Sequence, residues 1–170
     1  MLIDYNKFQI ISLGGYQIDH TSNKKLLETL EDFCTLTKTA HLNYYLTGSI
    51  CLSILTNKIY RTWKDIDILV DKDSMSSWMY LLTKNGWYHF GFNQKLMKFY
   101  HNTNNNYLEL LNDDPRIYLY RKKNKIITDY NGIKIIDSKS ILFWKKNFRE
   151  KPRKEDFYDE ILVNGFTNKV

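Results

Sequence analysis

The chain has 170 residues, a formal net charge of +6, and a composition that is 43% hydrophobic and 15% aromatic. A chain of this length and apolar content is typical of one globular domain, so intrinsic disorder and a disulfide-stapled miniprotein are excluded. No apolar run approaches the length of a membrane span and the first residues lack a secretory signal, so we expect a cytoplasmic protein that does not enter membranes. The two cysteines, Cys34 and Cys51, lie in apolar contexts and are expected to be buried free thiols.

The first part of the chain predicts alternating strands and helices. An apolar run at residues 8–13 predicts a strand that ends at a glycine pair. Leucines at helical spacing predict a helix over residues 24–39, with its N-cap within 21–23. Residues 43–46 predict a short strand closed by Thr-Gly-Ser, and residues 50–55 predict a buried helix that opens directly after that glycine.

The remainder predicts a meander of strands followed by helices. Residues 66–70 predict a short apolar strand flanked and interrupted by carboxylates, and Ser74 begins a helix that ends at Lys84 before Asn-Gly. Further strands are predicted at residues 87–92, 96–101, 107–111, 117–120, 125–130 and 133–136, the last two joined by an Asn-Gly hairpin. A helix is predicted from residue 137 or 138, and a last helix over about 156–163 follows Pro152.

This order of elements predicts an α+β fold in which helices pack on one side of a mixed, mainly antiparallel sheet. We expect a single domain over residues 1–170, with a core over about 24–136 and C-terminal helices over about 138–164. Tyr44, Tyr45, Trp87 and Tyr88 are expected in the core of this domain.

Two carboxylates on the strand at residues 66–70 point to metal chemistry. Asp65 and Asp67 are separated by one residue, so both side chains project from the same face of an extended segment. Adjacent carboxylates repel each other strongly unless a cation neutralises them. Mg²⁺ (or Mn²⁺) suits such a site because it binds one or two carboxylates together with substrate phosphates.

A second motif lies just upstream of these carboxylates. Gly48-Ser49 closes one strand and opens a helix, and backbone N–H groups at a helix N-terminus bind phosphate. Arg61 and Lys64 precede the aspartates, and either side chain can balance phosphate charge. Enzymes that catalyse phosphoryl or nucleotidyl transfer combine a phosphate-binding turn with a metal site.

A hydrophobic strand, Gly-Ser, a helix and then Asp-Ile-Asp on a second strand follow one another within residues 42–111. This order resembles the nucleotidyltransferase superfamily, whose core is the palm of DNA polymerase β. The similarity is greatest to its small single-domain members, including lincosamide-type antibiotic nucleotidyltransferases and the minimal nucleotidyltransferases of toxin–antitoxin systems. The resemblance implies a nucleotidyltransferase-like fold and an enzyme that transfers a nucleoside monophosphate from an NTP to an acceptor hydroxyl, with ATP binding among the expected properties.

The resemblance also implies roles for individual residues. In this family Gly-Ser holds the nucleotide phosphates, and the Asp-x-Asp pair binds two metal ions together with a third carboxylate on a later strand. Glu109 is the one charged residue in the apolar run 107–111, and the resemblance implies that it completes the metal site and acts as the general base. Asp113 or Asp114 takes this place if the strand register is shifted.

The basic residues match the family less closely. Lys64 stands where the family often has a small residue, so Arg61 is only an approximate match to the family's upstream arginine. The resemblance of the C-terminal segment implies that Lys154 or Lys151 lies near the nucleotide. Trp63 either stacks on a nucleobase or packs at the rim of the site.

Several acceptors remain compatible with the sequence. They are a tRNA or other RNA end, a small molecule such as an antibiotic, and a protein side chain. The net charge of +6 favours a nucleic acid, although a solvated lysine-rich surface explains it equally well, and the basic cluster at residues 121–125 is the best candidate for an RNA backbone contact. The alternative is a catalytically inactive module of the same fold that binds a nucleotide, RNA or a host protein.

Overall fold

The structure is a computed structural model that describes residues 3–93, 96–101, 106–112 and 127–167. Within these ranges the α-helices are α1 (His20–Ala40), α2 (Gly48–Thr56), α3 (Met75–Lys84), α4 (Ser138–Phe148) and α5 (Lys154–Thr167). The strands are β1 (Gln9–Ile10), β2 (Tyr44–Thr47), β3 (Lys58–Ile59), β4 (Ile66–Val70), β5 (Trp87–Asn93), β6 (Leu96–His101), β7 (Asn106–Asn112), β8 (Ile127–Tyr130) and β9 (Ile133–Ile136). Short 3-10 helices occupy Tyr5–Lys7 and Lys72–Ser74.

Seven strands form one sheet in the order β5-β6-β7-β4-β2-β9-β8. Its neighbours are antiparallel except for the pairs β2–β9 and β4–β7, which are parallel. The two short strands β1 and β3 pair in parallel beside this sheet. The expected mixed, mainly antiparallel sheet of an α+β fold is therefore confirmed.

The two faces of β6 and β7 differ in character because side chains alternate along each strand. Phe99, Leu108 and Leu110 are fully buried on one face. Helix α1 covers that face, since the Asn106 side-chain amide donates to Thr29 Oγ1 at 2.6 Å. Residues at the alternate positions project from the opposite face, which is the one that carries Glu109.

Aromatic rings join α1 and α3 to the sheet. Phe33 on α1 stacks on Trp78 of α3 with ring centroids 5.5 Å apart, and Tyr44 of β2 meets Phe33 edge-on at 5.2 Å. All three rings are buried, and aromatic pairs in this geometry add about 1 kcal/mol each beyond the area that they bury. This cluster fixes the helices against the buried face and leaves the opposite face free for a site.

The helices α2, α4 and α5 contact one another. A buried ion pair connects two of them, because Lys145 Nζ of α4 contacts Asp159 Oδ2 of α5 and both side chains are buried. Tyr60 donates its hydroxyl to Asp159 Oδ1 at 2.6 Å, which ties α5 to the segment that leads into β4. A buried carboxylate with these two partners has the hydrogen bonds that its burial requires.

Most of the predicted elements are present, with differences at their ends. The N-cap of α1 was expected within residues 21–23 and this was wrong, because Asp19 Oδ1 accepts the Ser22 backbone N–H at 3.0 Å and the helix begins at His20. Tyr88 was expected in the core and is exposed, whereas the neighbouring Trp87 is buried as expected. The predicted strand at 117–120 and the first residues of the strand at 125–130 lie outside the described residues.

Cys34 and Cys51 are free and buried, as the sequence predicted. Burial raises the pKa of the Cys34 thiol to about 11. Such thiols are protonated at neutral pH and unreactive. Among the described residues, no helix combines the length and the apolar character that a membrane crossing requires.

Candidate metal centre

Three carboxylates converge on the face of the sheet that α1 leaves open. Asp67 on β4 lies opposite Glu109 on the parallel strand β7, and Asp65 precedes Asp67 by two residues and therefore projects from the same face. One oxygen from each of the three groups lies within 4.8 Å of the other two, and all three residues are half-buried. This spacing allows one small cation to contact all three groups.

The electrostatics of the three groups show mutual repulsion. Burial and then the charges of Asp65 and Glu109 raise the pKa of Asp67 to about 7. Burial and the charge of Glu109 likewise raise the pKa of Asp65. Each raised pKa means that the ionised form is disfavoured while the site holds only protein charges. A divalent cation would remove this penalty.

Lys98 is part of the same site, and sequence reasoning missed it. It lies on β6 opposite Glu109, and its Nζ contacts Glu109 Oε1 at 2.5 Å. This contact raises the pKa of Lys98. Lys98 is the one charged residue in its predicted strand, which is the same pattern that Glu109 shows in residues 107–111.

The N-terminus of α2 borders the carboxylates. Gly48 has a φ of +71°, and a Cβ built on it would lie 1.9 Å from Asp67 Oδ2. The residue must therefore be glycine on two grounds, a left-handed backbone and the close approach of a carboxylate. Ser49 follows and is buried, and the Thr47 side chain makes no capping hydrogen bond in the described part of the chain.

Arg61 and Lys64, both predicted from the sequence, lie within electrostatic reach of the site. Their charges lower the pKa of Asp65 against the larger effects of burial and Glu109. Arg61 donates from Nε to the Tyr60 hydroxyl at 3.1 Å, so its guanidinium is held in place. Lys64 is exposed and its Nζ lies 4.0 Å from Glu155 Oε1.

Lys154 contacts groups outside the carboxylate site. Its Nζ lies 3.4 Å from the Gly14 carbonyl oxygen and above the rings of Tyr16 and Tyr158, at 5.4 and 5.8 Å from their centroids. Lys151 is exposed. No contact in the described residues joins either lysine to the three carboxylates, so their predicted place near the nucleotide stays a prediction.

Trp63 packs inside the protein. It is buried, its Nε1 donates to Ser53 Oγ at 3.1 Å, and its ring meets Phe8 edge-on with centroids 6.0 Å apart. The packing alternative is therefore the one that the structure supports. Asp113 and Asp114, the alternative third carboxylates, lie outside the described residues, as does the basic cluster at 121–125.

Two cationic residues, Lys145 on α4 and Arg149 directly after it, also act on the site, and no local sequence pattern pointed to them. The charges of Lys145 and Arg149 lower the pKa of Asp67, although burial and the neighbouring carboxylates outweigh them. Arg149 is held by Asp156, whose Oδ1 lies 2.5 Å from the arginine NH1. Their positions depend on the packing of α4 against α5, which periodicity and short motifs do not encode.

The donor chemistry of the site fits a divalent cation. Carboxylate oxygens are the ligands that Mg²⁺ and Mn²⁺ take in proteins, and three converge here. The pKa values of Asp65 and Asp67 are raised, so their ionised forms are disfavoured without a nearby cation. Such perturbed carboxylates are typical of functional sites. Asp65, Asp67 and Glu109 would hold the ion.

Comparison with solved structures shows which fold this is. A lincomycin-bound lincosamide antibiotic adenylyltransferase, LnuA, is 19% identical with a TM-score of 0.61, covering 84% of this chain and 96% of its own. A Thermotoga maritima protein provisionally assigned as a nucleotidyltransferase is 13% identical with a TM-score of 0.58, covering 91% and 98%. An antigenic nucleotidyltransferase-like protein from Paracoccidioides brasiliensis is 16% identical with a TM-score of 0.56, covering 84% and 76%.

The chain has a nucleotidyltransferase-like fold. The resemblance inferred from the Gly-Ser and Asp-Ile-Asp motifs is thus confirmed at the level of the fold. No protein-family model matches the sequence, and no curated protein matches it either. The nucleotidyltransferase-like fold was recognisable from the sequence because the motifs that indicate it are short and local.

Proposed function

We propose that the protein is a Mg²⁺-dependent nucleotidyltransferase that moves a nucleoside monophosphate from an NTP to an acceptor hydroxyl. The observation that carries the proposal is the convergence of Asp65, Asp67 and Glu109 beside the N-terminus of α2. The fold is compatible with this chemistry, since LnuA is an adenylyltransferase. Mg²⁺, or Mn²⁺ in its place, would neutralise the triphosphate and the charge that develops in transfer.

Each element of the site has a separate task in the proposed reaction. Asp65, Asp67 and Glu109 supply the oxygen ligands for the cation. The N–H groups at the start of α2, around Gly48 and Ser49, bind the β- and γ-phosphates, because a helix N-terminus favours negative charge. Catalysis of this kind depends mainly on positioning and charge neutralisation.

Basic side chains assist at the edge of the site. The positive charges of Arg61 and Lys64 lower the pKa of Asp65. A bound triphosphate would bring further negative charge to the same region, where these side chains could balance it. Lys154 is retained as a predicted nucleotide contact, which requires the ammonium to leave the Gly14 carbonyl. Substitution of Arg61 is expected to affect transfer more than substitution of Lys154.

The proposed transfer makes one bond at phosphorus and breaks another. The acceptor hydroxyl oxygen forms a bond to the α-phosphorus, and the bond between that phosphorus and the oxygen bridging to the β-phosphorus breaks. Pyrophosphate leaves with that bridging oxygen. The hydroxyl proton passes to Glu109, to which we assign the role of general base, and from there to water.

One observation favours a second candidate function, a catalytically inactive module that binds nucleotide, RNA or a host protein. Lys98 Nζ lies 2.5 Å from Glu109 Oε1 and neutralises this carboxylate. The same contact is expected in a site that no longer binds a metal ion. In that case a lysine takes the place of the metal ion as the charge partner of Glu109, and the fold serves for binding alone.

A label-transfer experiment separates the two functions. The protein is incubated with each of the four NTPs, labelled at the α-phosphate, with Mg²⁺ and with cellular RNA, protein or metabolite fractions. We expect label in one fraction, lost in chelator and in Asp65→Asn and Asp67→Asn, and retained in the control Asp71→Asn, an exposed carboxylate just beyond β4. Absence of Mg²⁺-dependent transfer from every NTP to every fraction would favour the inactive module.

A further inference from the structure

The open face of β5, β6 and β7 carries a cluster of aromatic rings, which we term the aromatic platform: Phe90, Tyr100 and Tyr107. The Phe90 and Tyr107 ring centroids lie 5.6 Å apart, and those of Tyr100 and Tyr107 lie 5.5 Å apart. Tyr88 lies opposite Tyr100 in the β5–β6 register and extends the row of rings toward the sheet edge. The rings thus span three neighbouring strands.

Phe90, Tyr107 and the neighbouring Tyr88 are exposed and Tyr100 is half-buried, although aromatic side chains usually lie in the core. Phe90 is 54% exposed, Tyr88 57% and Tyr107 46%. Phe99, one position from Tyr100 on the same strand, is fully buried beneath the helices. The sheet therefore has enough apolar side chains for its core on one face, and the platform on the other face needs a different explanation.

The platform adjoins the carboxylate site. Tyr107 precedes Glu109 by two residues on β7 and Tyr100 follows Lys98 by two residues on β6, so all four side chains project from one face. Across the sheet the order is Thr47, Asp67, Glu109 and then Lys98. The N-terminus of α2 and the platform thus lie on opposite sides of the carboxylates.

We propose that the aromatic platform is a stacking surface for the unpaired bases of single-stranded RNA, and that the terminal hydroxyl of this RNA is the acceptor. Phosphates bound at α2 leave the opposite side of the carboxylates, where the platform lies, for the acceptor. The proposal that RNA binds the platform does not depend on the proposed function, whereas the role of the RNA as acceptor rests on it. The terminal oxygen would form the bond to the α-phosphorus as pyrophosphate leaves.

The chemistry of the surface favours RNA over other acceptors. Exposed aromatic rings on an antiparallel sheet stack successive bases, and base–aromatic stacking tolerates any sequence. The net charge of +6 favours a polyanion. A small molecule is usually enclosed in a concave pocket, whereas these rings lie on an exposed sheet face with room for more than one planar group.

The test measures RNA binding without transfer. A fluorescently labelled single-stranded RNA of about a dozen nucleotides is titrated with protein in chelator without NTP, and anisotropy is followed. Tyr107→Ala and Phe90→Ala are each expected to weaken binding by about 5-fold to 150-fold, since stacking is worth about 1–3 kcal/mol per base. Tyr80→Ala is the matched control, because this tyrosine on α3 is 68% exposed.

Two more variants distinguish base stacking from nonspecific hydrophobic binding. Tyr107→Phe keeps a ring and is expected to bind like the wild type, whereas Tyr107→Leu keeps an apolar surface without a ring and is expected to bind like Tyr107→Ala. Thermal melts verify that each variant is folded. Failure of the wild type to bind RNA, or equal binding by Tyr107→Ala and the Tyr80→Ala control, would overturn the proposal and leave a protein partner as the occupant of the platform.

The outcome is distinguishable from failure of the proposed function. Asp65→Asn is expected to bind the RNA like the wild type and to transfer nothing to it. If platform variants lose RNA binding while no NTP is ever transferred, the RNA-binding surface stands and the acceptor assignment falls with the proposed function. If label is transferred to a metabolite or protein fraction and RNA is not bound, the enzyme stands and the platform proposal falls.

Discussion

At the scale of single residues, Gly48 links the phosphate-binding turn to the metal centre. Its backbone lies so close to the Asp67 carboxylate that a Cβ would fall 1.9 Å from Oδ2. An added methyl group must therefore displace the carboxylate or the start of α2. The glycine is required for the site as well as for the backbone conformation.

Gly48→Ala is expected to abolish Mg²⁺-dependent stabilisation and transfer. Gly132→Ala is the matched control, since this glycine also has a positive φ, +83°, and a Cβ added to it would have no atom within 4 Å. Both variants are expected to lose about 1–2 kcal/mol of unfolding free energy to the left-handed backbone. Only Gly48→Ala should lose the rise in melting temperature on Mg²⁺ addition, and retention of that rise would contradict the steric argument.

The raised pKa values of Asp65 and Asp67 predict how stability depends on pH. Both aspartates have a higher pKa in the folded chain than in the unfolded chain, so the folded chain binds protons more tightly. Their contribution to stability is therefore complete at low pH and is lost as the pH rises toward about 7, the pKa of Asp67.

In chelator, the melting temperature of the wild type is expected to fall between about pH 4 and about pH 7 relative to that of Asp67→Asn, which has no proton to lose at this position. Mg²⁺ competes with protons for the same oxygens, so the rise in melting temperature that it causes should be larger at the higher pH than at the lower. Thermal melts at both pH values measure this. Identical pH profiles for the two proteins would refute the electrostatic interpretation.

At the residue scale, the carboxylates that the structure brings together were visible as short local patterns, and their roles stay predictions. Asp65 and Asp67 were singled out by their spacing on one strand and Glu109 as the lone charge in an apolar run, and the structure brings the three groups together. Lys98 follows the same rule of a lone charge in an apolar strand and was missed because an ammonium is not a metal ligand. Lys145 could not be found from sequence, since its partner Asp159 lies across a contact between two helices.

At the scale of elements, a buried network holds the C-terminal helices. Lys145 on α4 contacts Asp159 and lies 3.4 Å from Asp156 Oδ1, and Tyr60 donates to Asp159 from the segment before β4. Removal of one partner from such a network leaves a buried charge without compensation. The network therefore determines the position of α5 beside the segment that carries Arg61.

Lys145→Met is expected to lower the unfolding free energy by about 3–5 kcal/mol, because Asp159 then remains buried without its cation. Lys146→Met is the matched control, since the neighbouring lysine is exposed on the same helix and its substitution should change stability by about 0.5 kcal/mol or less. Urea denaturation of both variants measures the difference. Equal stability of the two variants would show that the buried pair contributes nothing.

Strand boundaries were predicted best where alternation and turn residues agree. The strands at Ile66–Val70, Leu96–His101 and Ile133–Ile136 match the predicted spans, the last because Asn-Gly fixes the hairpin before it. The pairing of β1 with β3 was missed, because two-residue strands joined by long-range hydrogen bonds carry no periodic signal. The order of strands in the sheet, including the parallel β4–β7 pair that sets Asp67 beside Glu109, was equally out of reach.

At the scale of the whole molecule, the seven-strand sheet divides the protein by face. One face is covered by α1 and α3 and holds the core, and the other presents the carboxylates and the aromatic platform side by side. The sequence predicted the fold class because its motifs occur in the order that the nucleotidyltransferase-like fold requires. The shared face of site and platform became visible only through the strand register.

The central claim is that Asp65, Asp67 and Glu109 form a divalent-cation site. The most direct test is a titration with Mn²⁺ in which free ion is measured by electron paramagnetic resonance, with and without a non-hydrolysable NTP analogue. We predict saturable binding by the wild type, strengthened by the analogue, and its loss in the Asp65→Asn/Asp67→Asn double variant with the fold retained. Equal Mn²⁺ binding by the wild type and the double variant, or none by either with the analogue present, would contradict this account.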